Sequence, residues 1–317
     1  MPLPRPHSSE SRPEFLQRCM NSATMRSEFP DETQRYAVCI SQLPKDKAYQ
    51  QRSWNTTQRY RAQFRRKYLS IFQKSMDRMV RPIFEELLNV GADTIVGQMD
   101  SLIQETELRN TYHEFYREVG TYFAKLDFKK TKSIVGNITV KSPVTGMTVK
   151  QSEEEEILED VWAAGFYDYV DNKLGDRIVS VTGDTKKLFQ KYLNELLKED
   201  PGLGGRAQAM NMHDKLMERY SWDRRWRLQR IVRTETTTAS NVGSIIGMDS
   251  TGYDYEKEWI AAFVNTRDDH AEVHGQRVSK NDFFRVGSDQ MEYPGDPGAS
   301  AENVVNCMCT HSFHLIR

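Results

Sequence analysis

Apolar residues recur every three or four positions between Ser53 and Asn89, and this spacing marks one face of an α-helix. They are Tyr60, Phe64, Tyr68, Phe72, Met76, Met79, Ile83 and Leu87. The length of the pattern predicts a single long helix, bent near Pro82 because proline removes a backbone hydrogen bond. A chain that contains such a helix is predicted to be mainly helical.

Similar patterns predict further helices over residues 94–125, 157–173, 185–198 and 220–248. Alternating β-branched residues over 133–149 predict an inserted β-hairpin. After Gly252, short aromatic and β-branched segments are separated by glycine and proline turns. The predicted fold class is therefore mainly α with a small α+β C-terminal domain, arranged as an elongated helical body and a compact, turn-rich end-domain.

The chain divides into three predicted domains. Residues 1–50 are expected to form a flexible arm, because residues 1–10 are rich in proline and poor in apolar side chains, followed by a helical hairpin. Residues 51–220 form the helical body. Residues 221–317 form the C-terminal domain.

Four cysteines in 317 residues are too few for a disulfide scaffold. We therefore expect folding in a reducing cytoplasm. Cys19 and Cys39 lie on the apolar faces of the N-terminal hairpin, where free, buried thiols are the expected state.

Charge and hydropathy exclude some classes of function. The chain has 44 basic and 45 acidic residues and a net charge of −1, so bulk charge will not attract it to nucleic acid. It has no stretch of 18 apolar residues and no basic head followed by an apolar run at its start. We therefore predict neither a membrane span nor a secretory signal.

The cysteines near the C-terminus suggest a metal site. Cys307 and Cys309, with one or more of His270, His274 and His311, have the thiolate and imidazole groups that zinc prefers in tetrahedral sites. Only one residue separates the cysteines, whereas two is the usual spacing. The alternative is that both thiols are packed in the interior and His270 bonds a backbone carbonyl.

A catalytic interpretation depends on Asp268, Asp269 and His270, which are adjacent and include groups able to act as acid or base. The chain has no glycine-rich phosphate loop, no nucleophile elbow and no zinc-protease motif beside them. We therefore predict no catalytic residues and assign the three to a structural turn.

Two arginine-rich windows, over residues 52–81 and 219–233, are candidate contact surfaces. In the first window the outer face of the long helix carries Arg52, Arg59, Arg61, Arg65, Arg66, Lys67, Lys74, Arg78 and Arg81. The alternatives are contact with DNA phosphates, with the acidic surface of a partner, or with the chain's own acidic run over 153–160. A solvated or protein-facing surface is the favoured interpretation, because no aromatic interleaving and no known nucleic-acid module accompany the arginines. The candidate contact residues are Arg59, Arg65, Arg66, Arg224, Arg225 and Arg227.

The C-terminal third also contains a set of residues whose identities and order along the chain together form a recognisable motif. The set is Arg233-Thr234-Glu235, Asn241, Trp259, Thr266-Arg267 with His270, Gly275, Phe283, Tyr293-Pro294-Gly295-Asp296 and Asn306-Cys307-Met308-Cys309. It resembles the head-morphogenesis family of tailed bacteriophages, typified by the F protein of phage Mu, over about residues 180 to 317. The family usually has arginine where this chain has Met308.

The resemblance implies a structural motif and a function. The motif residues are Arg233, Glu235, Asn241, Trp259, Arg267, His270, Gly275, Pro294, Asp296 and Asn306. The implied function is that of a minor head protein, a virion component inside the capsid head near the portal, assembled in the host bacterial cytoplasm. It would act in procapsid assembly and in DNA packaging or ejection.

The partners that the resemblance implies are the portal protein, the major capsid or scaffold protein, and packaged double-stranded DNA, with no membrane. Two alternatives stay open. One is an enzyme or toxin-like effector carried in the head, and the other is a DNA-binding internal head protein.

Overall fold

The computed structural model of the protein describes residues 3–5, 12–30, 35, 38–39, 47–135, 154–199 and 206–316. Ten helices and five short strands lie within these ranges. The predicted fold class is confirmed, because the protein is mainly helical with a small antiparallel sheet region at its C-terminal end. The structure divides into two compact units, Met1–Thr56 and Thr57–Arg317. The predicted boundary after residue 220 falls inside a continuous helix.

The first unit contains helices α1 (Arg12–Asn21) and α2 (Ala23–Glu28). The predicted free thiols are wrong here, because Cys19 and Cys39 form a disulfide with a Cα–Cα distance of 5.8 Å. The bond closes a small buried cluster with Phe15. The predicted flexible arm over residues 1–10 lies largely outside the described residues.

Six helices follow along the chain. They are α3 (Lys47–Val90), α4 (Ala92–Leu102), α5 (Thr106–Val135), α6 (Glu154–Lys173), α7 (Gly175–Glu199) and α8 (Arg206–Asp249). The predicted long helix is confirmed as α3, which continues through Pro82. The prediction of one helix over 94–125 is wrong, because the chain becomes extended at Ile103. Periodicity could not show that break, because Ile103 is itself buried and continues the apolar pattern.

The predicted β-hairpin over 133–149 lies almost entirely outside the described residues. Its first positions, including Ile134, belong to helix α5. Helix α8 begins at Arg206, 14 residues before the predicted start at 220.

Helices α5 and α8 pack closely in the centre of the second unit. A Cβ atom on Gly243 would lie 2.4 Å from the carbonyl oxygen of Gly120, and one on Gly247 would lie 2.2 Å from that of Ala124. The two glycines therefore allow the helix backbones to approach at a distance that a larger side chain would prevent. This contact fixes α8, the helix that carries three of the ten motif residues, Arg233, Glu235 and Asn241.

The C-terminal end of the second unit is built from short elements. They are β1 (Tyr255–Ile260), α9 (Asp268–Glu272), β2 (Arg277–Ser279), β3 (Phe284–Val286), β4 (Asp289–Met291), α10 (Ala301–Val304) and β5 (Thr310–Leu315). Strands pair antiparallel in the order β2-β1-β5, and β3 pairs with β4. A small core of its own lies among them, centred on Trp259, Phe284 and Met291.

None of the helices in the described ranges combines the length and the hydropathy of a membrane-crossing segment.

Candidate metal centre

Helix α8 binds the C-terminal segment through a row of small polar side chains. Thr237 donates to the carbonyl of Cys307 at 2.7 Å, and Thr238 donates to that of Gly295 at 2.7 Å. Asn241 donates to the carbonyl of Pro294 at 2.7 Å. Positions 234, 237, 238 and 241 share one helix face, since they are three, four and seven residues apart. Asn241 and Pro294 of the motif therefore hold the C-terminal segment against the helix.

Glu235 of the motif lies on another side of α8, and it is buried in an ion pair. Both of its carboxylate oxygens lie 3.1 Å from a guanidinium nitrogen of Arg177, and the hydroxyl of Tyr116 donates to it at 2.5 Å. Burial raises the pKa of Tyr116, and the nearby charge of Glu235 raises it further. Glu235 thus connects helices α5, α7 and α8.

A buried arginine of helix α3 connects α8 to the loop before β5. Arg61 donates from Nε to Ser240 at 2.7 Å and from a terminal nitrogen to Asn241 at 2.7 Å. Its other terminal nitrogen donates to the carbonyls of Met308 and Cys309 at 3.3 and 3.0 Å. Burial lowers the pKa of Arg61 to about 9, and nearby Cys307 opposes this change. The prediction that Arg61 lies on the solvent-facing basic surface is therefore wrong.

The loop over residues 306–309 brings two thiols to one side of the chain. Asn306 has a positive φ of 58°, and its amide donates to the hydroxyl of Thr234 at 2.9 Å. Cys307 and Cys309 are both buried, whereas Met308 between them is half-buried.

The two thiols meet His270, which is in the short helix α9. Nδ1 of His270 lies 3.3 Å from Sγ of Cys309 and 3.7 Å from Sγ of Cys307. The three potential ligand atoms all lie within 4.8 Å of one another, and all three residues are buried. In a tetrahedral zinc site the expected N···S separation is about 3.5 Å, from bond lengths of about 2.0–2.1 and 2.3 Å. The observed distances lie on either side of that value.

A second set of contacts orients His270. Its Nε2 lies 3.2 Å from Oδ1 of Asn303, whose amide nitrogen donates to Asp289 at 2.9 Å. With the ring proton on Nε2, the lone pair of Nδ1 faces the sulfurs. This His–amide–carboxylate chain is of the type that fixes metal-bound histidines. Hydrogen bonds from Ser300 and Asn303 lower the pKa of Asp289, so it accepts as a carboxylate.

The electrostatic environment favours a thiolate at Cys307, whereas the hydrogen bond with Cys307 and burial raise the pKa of Cys309. The hydrogen bond with Cys309 lowers the pKa of Cys307 well below its usual value, and His270 lowers it further, whereas burial opposes both. The backbone amide of Ala262 donates to Sγ of Cys309 at 3.4 Å. Because the thiolate is the form that binds metal, the cluster has the chemistry of a zinc ligand set.

Two of the alternative histidine ligands lie elsewhere. His274 accepts from the backbone amide of Ala261 at 3.2 Å through Nδ1. His311 lies opposite Trp259 in the β1–β5 register, and its ring packs against Phe313. Neither belongs to the cluster with Cys307 and Cys309.

The remaining motif residues shape turns around this cluster. Gly275 has a φ of 78° and its amide donates to the carbonyl of Trp259 at 2.7 Å. Asp296 accepts from the amide of Gly298 at 2.9 Å, and Arg267 donates to the carbonyl of Val305. The ring of Trp259 packs edge-on against His270, with centroids 5.6 Å apart.

Asp268 and Asp269 are exposed at the start of α9. Within the described residues neither carboxylate accepts a hydrogen bond from His270, whose Nε2 lies beside Asn303.

A cavity of about 210 Å³ lies beside the cluster. Cys307, Cys309 and His270 all line it. Its other lining residues are Arg233, Ala262, Val264, Asn265, Thr266, Arg267, Asn306 and Met308. The motif residues Arg233, Arg267 and Asn306 therefore meet at this cavity.

The arginines predicted as contacts divide into two groups. Arg224 pairs with Asp77 at 2.5 Å, and Arg227 donates to the hydroxyl of Thr185 at 3.0 Å, so both bind within the protein. Arg65 is partly buried, and burial lowers its pKa. The exposed members of the set are Arg59, Arg66 and Arg225.

One surface of α8 was not predicted. Trp222 and Trp226 are 75% and 67% exposed, the highest values for large apolar side chains among the described residues. Trp222, Trp226, Arg230 and Arg233 lie within about 80° of one another around the helix at 100° per residue. All four are exposed, and we call them the tryptophan–arginine stripe.

Sequence reasoning also missed Arg61 and Asn303 as parts of the site. Arg61 had a usable signal, because it lies three residues before Phe64 and seven before Tyr68, on the apolar face of the helix. Asn303 had none, because its role depends on the tertiary position of the four-residue helix α10.

Comparisons with protein-family models, with curated proteins and with solved structures found no match.

Proposed function

We propose that this chain is a minor head protein of a tailed bacteriophage, bound to the portal inside the head during procapsid assembly and active in DNA packaging or ejection. The family assignment in this proposal rests on the resemblance of the C-terminal sequence motif. The observation that carries the binding role is the tryptophan–arginine stripe. Trp and Arg are the residues that contribute most to protein interfaces, and here they lie exposed on a helix held rigidly by α5.

Three of the ten motif residues have a structural role that suits a binding protein. Glu235 joins three helices through a buried ion pair, and Asn241 joins α8 to the C-terminal segment at Pro294. The stripe is basic at Arg230 and Arg233, so the complementary surface on the portal is acidic.

Double substitution of Trp222 and Trp226 by Ala is expected to weaken binding to the portal protein of the same phage at least about 30-fold, because central aromatic residues contribute about 2 kcal/mol or more. The measurement is the dissociation constant of the purified proteins, together with recovery of the complex after co-expression. The thermal unfolding midpoint should stay unchanged, because neither side chain is buried.

Met210→Ala is the matched control, since Met210 is 55% exposed on the same helix but lies outside the stripe. Substitutions are preferable to deletion of residues 221–317, because that deletion would cut α8 in its middle. Equal affinity of the double variant and the control would contradict the proposed surface. Salt-sensitive binding to duplex DNA, without binding to the portal, would favour the DNA-binding alternative.

We also propose that His270, Cys307 and Cys309 bind one zinc ion that stabilises the C-terminal segment. The supporting observation is the set of three soft ligand atoms within 4.8 Å, oriented by Asn303. Zinc would be held by Nδ1 and the two sulfurs, and its role is structural, because a loop-rich segment gains stability from such a crosslink.

A further inference from the structure

Zinc in this position would lack one protein ligand. The three donor atoms fill three of the four positions that zinc takes in proteins. Among the described residues, no fourth histidine, cysteine or carboxylate belongs to the cluster. The side from which a fourth ligand can approach is the cavity of about 210 Å³ that all three ligand residues line.

The cavity is suited to a small anion. Arg233 and Arg267 line it, and no aspartate or glutamate of the described ranges does. The two thiolate charges would cancel the charge of Zn²⁺, so the arginines leave the cavity positive. The guanidinium of Arg233 has no hydrogen-bond or ion-pair partner within the described part of the chain. Arginine pairs with carboxylate through two parallel hydrogen bonds, and zinc also accepts a carboxylate oxygen, so an open metal position beside an arginine suits a carboxylate ligand.

The size of the cavity limits the ligand. Pockets for drug-sized molecules have volumes of about 300–1,000 Å³, and this one is smaller. One carboxylate with a short stem fits the available volume. An aspartate or glutamate side chain meets that description.

The position of Arg233 indicates where such a side chain would come from. Arg233 is both a lining residue of the cavity and the last member of the tryptophan–arginine stripe. The stripe extends about 17 Å from Trp222 to Arg233 at 1.5 Å per residue. A partner that covers the whole stripe, from the two tryptophans to Arg233, therefore also contacts the mouth of the cavity.

We infer that the metal position stays open to this cavity and that the cavity receives a carboxylate side chain of the partner that binds the tryptophan–arginine stripe. The inference rests on the proposed zinc site and on the proposed binding surface. It makes the metal centre part of the interface as well as part of the fold.

Cobalt(II) provides the test, because it replaces zinc and its visible absorption reports the ligands. The full-length protein is loaded with cobalt and titrated with sodium acetate, with acetamide as the uncharged probe of the same shape. Thiolate-to-cobalt absorption is expected on loading. Millimolar acetate should then change the visible ligand-field bands, and acetamide should not.

Arg233→Leu and Arg267→Leu should each raise the acetate concentration needed for half of the spectral change about tenfold, as expected for loss of one charged hydrogen bond. Arg206→Leu is the control, because Arg206 is exposed on α8, lies outside the stripe and does not line the cavity. Addition of portal protein in place of acetate should produce the same spectral change, and Arg233→Leu should reduce it.

The outcomes separate the proposals. Absence of thiolate-to-cobalt absorption would overturn the zinc proposal itself. Thiolate absorption that acetate leaves unchanged would overturn the open position while the zinc proposal stands. Portal binding without any spectral change would overturn the assignment of the carboxylate to the partner.

Discussion

Arg61→Leu is expected to destabilise the second unit by about 3–5 kcal/mol, because it removes four hydrogen bonds from a buried charged group, each contributing about 1.5–3 kcal/mol, partly offset by the cost of burying that charge. Leucine removes the donors that satisfy the carbonyls of Met308 and Cys309 and the side chain of Asn241. Each of these acceptors keeps one other donor, from Gln58, Asn241 and Thr310 respectively, so what is lost is the charged hydrogen bonds themselves. Arg61→Lys is expected to restore little, because one ammonium group cannot reproduce the planar fork of the guanidinium.

The measurement is equilibrium unfolding in urea, followed by circular dichroism, with limited proteolysis to locate the loosened segment. Cleavage should concentrate near residues 306–309, because that loop loses its anchor. Arg66→Leu on the same helix is the control, since Arg66 is exposed and surface substitutions usually change stability by less than about 0.5 kcal/mol. Equal stability of the two leucine variants would show that Arg61 does not hold the loop.

Cys307→Ser is expected to abolish zinc binding and to lower the thermal unfolding midpoint by roughly 10 °C. Binding to the folded state alone stabilises a protein by about 4 kcal/mol when the free metal is a thousand times the dissociation constant. In a unit of this size each kcal/mol corresponds to roughly 2–4 °C. The measurements are zinc content by elemental analysis and the unfolding midpoint with and without a chelator.

His274→Gln is the matched control for this prediction. His274 is a histidine near the cluster that sequence reasoning could not exclude, and the structure places it outside. The variant should retain zinc at the level of the unchanged protein. The metal site would be refuted if protein prepared without chelator contained no zinc and if added zinc did not raise its thermal unfolding midpoint.

The long helices could be predicted because their apolar faces repeat over many turns. Helix α3 was predicted to within six residues at its start, and helix α8 was predicted only from residue 220, 14 residues after its start. The α4–α5 break at Ile103 was missed, since a buried residue in an extended conformation does not disturb a helical apolar pattern. Boundaries of this kind depend on packing between helices.

Pairing of distant residues could be predicted only in part. The metal cluster was anticipated because cysteine and histidine are few and chemically specific, although the choice among three histidines needed the structure. The Cys19–Cys39 disulfide was missed, because a 20-residue separation does not reveal that the fold brings the two Cα atoms to 5.8 Å. The stripe on α8 was missed for the same reason, since exposure of a tryptophan is a tertiary property.

The most direct test of the proposed function is quantification of this chain in purified particles of the phage that encodes it, by mass spectrometry with imaging of its radial position. The account predicts a low-copy component inside the head, located at the portal vertex. Particles that lack the chain, or that carry it in the numbers of a major shell protein, would contradict it.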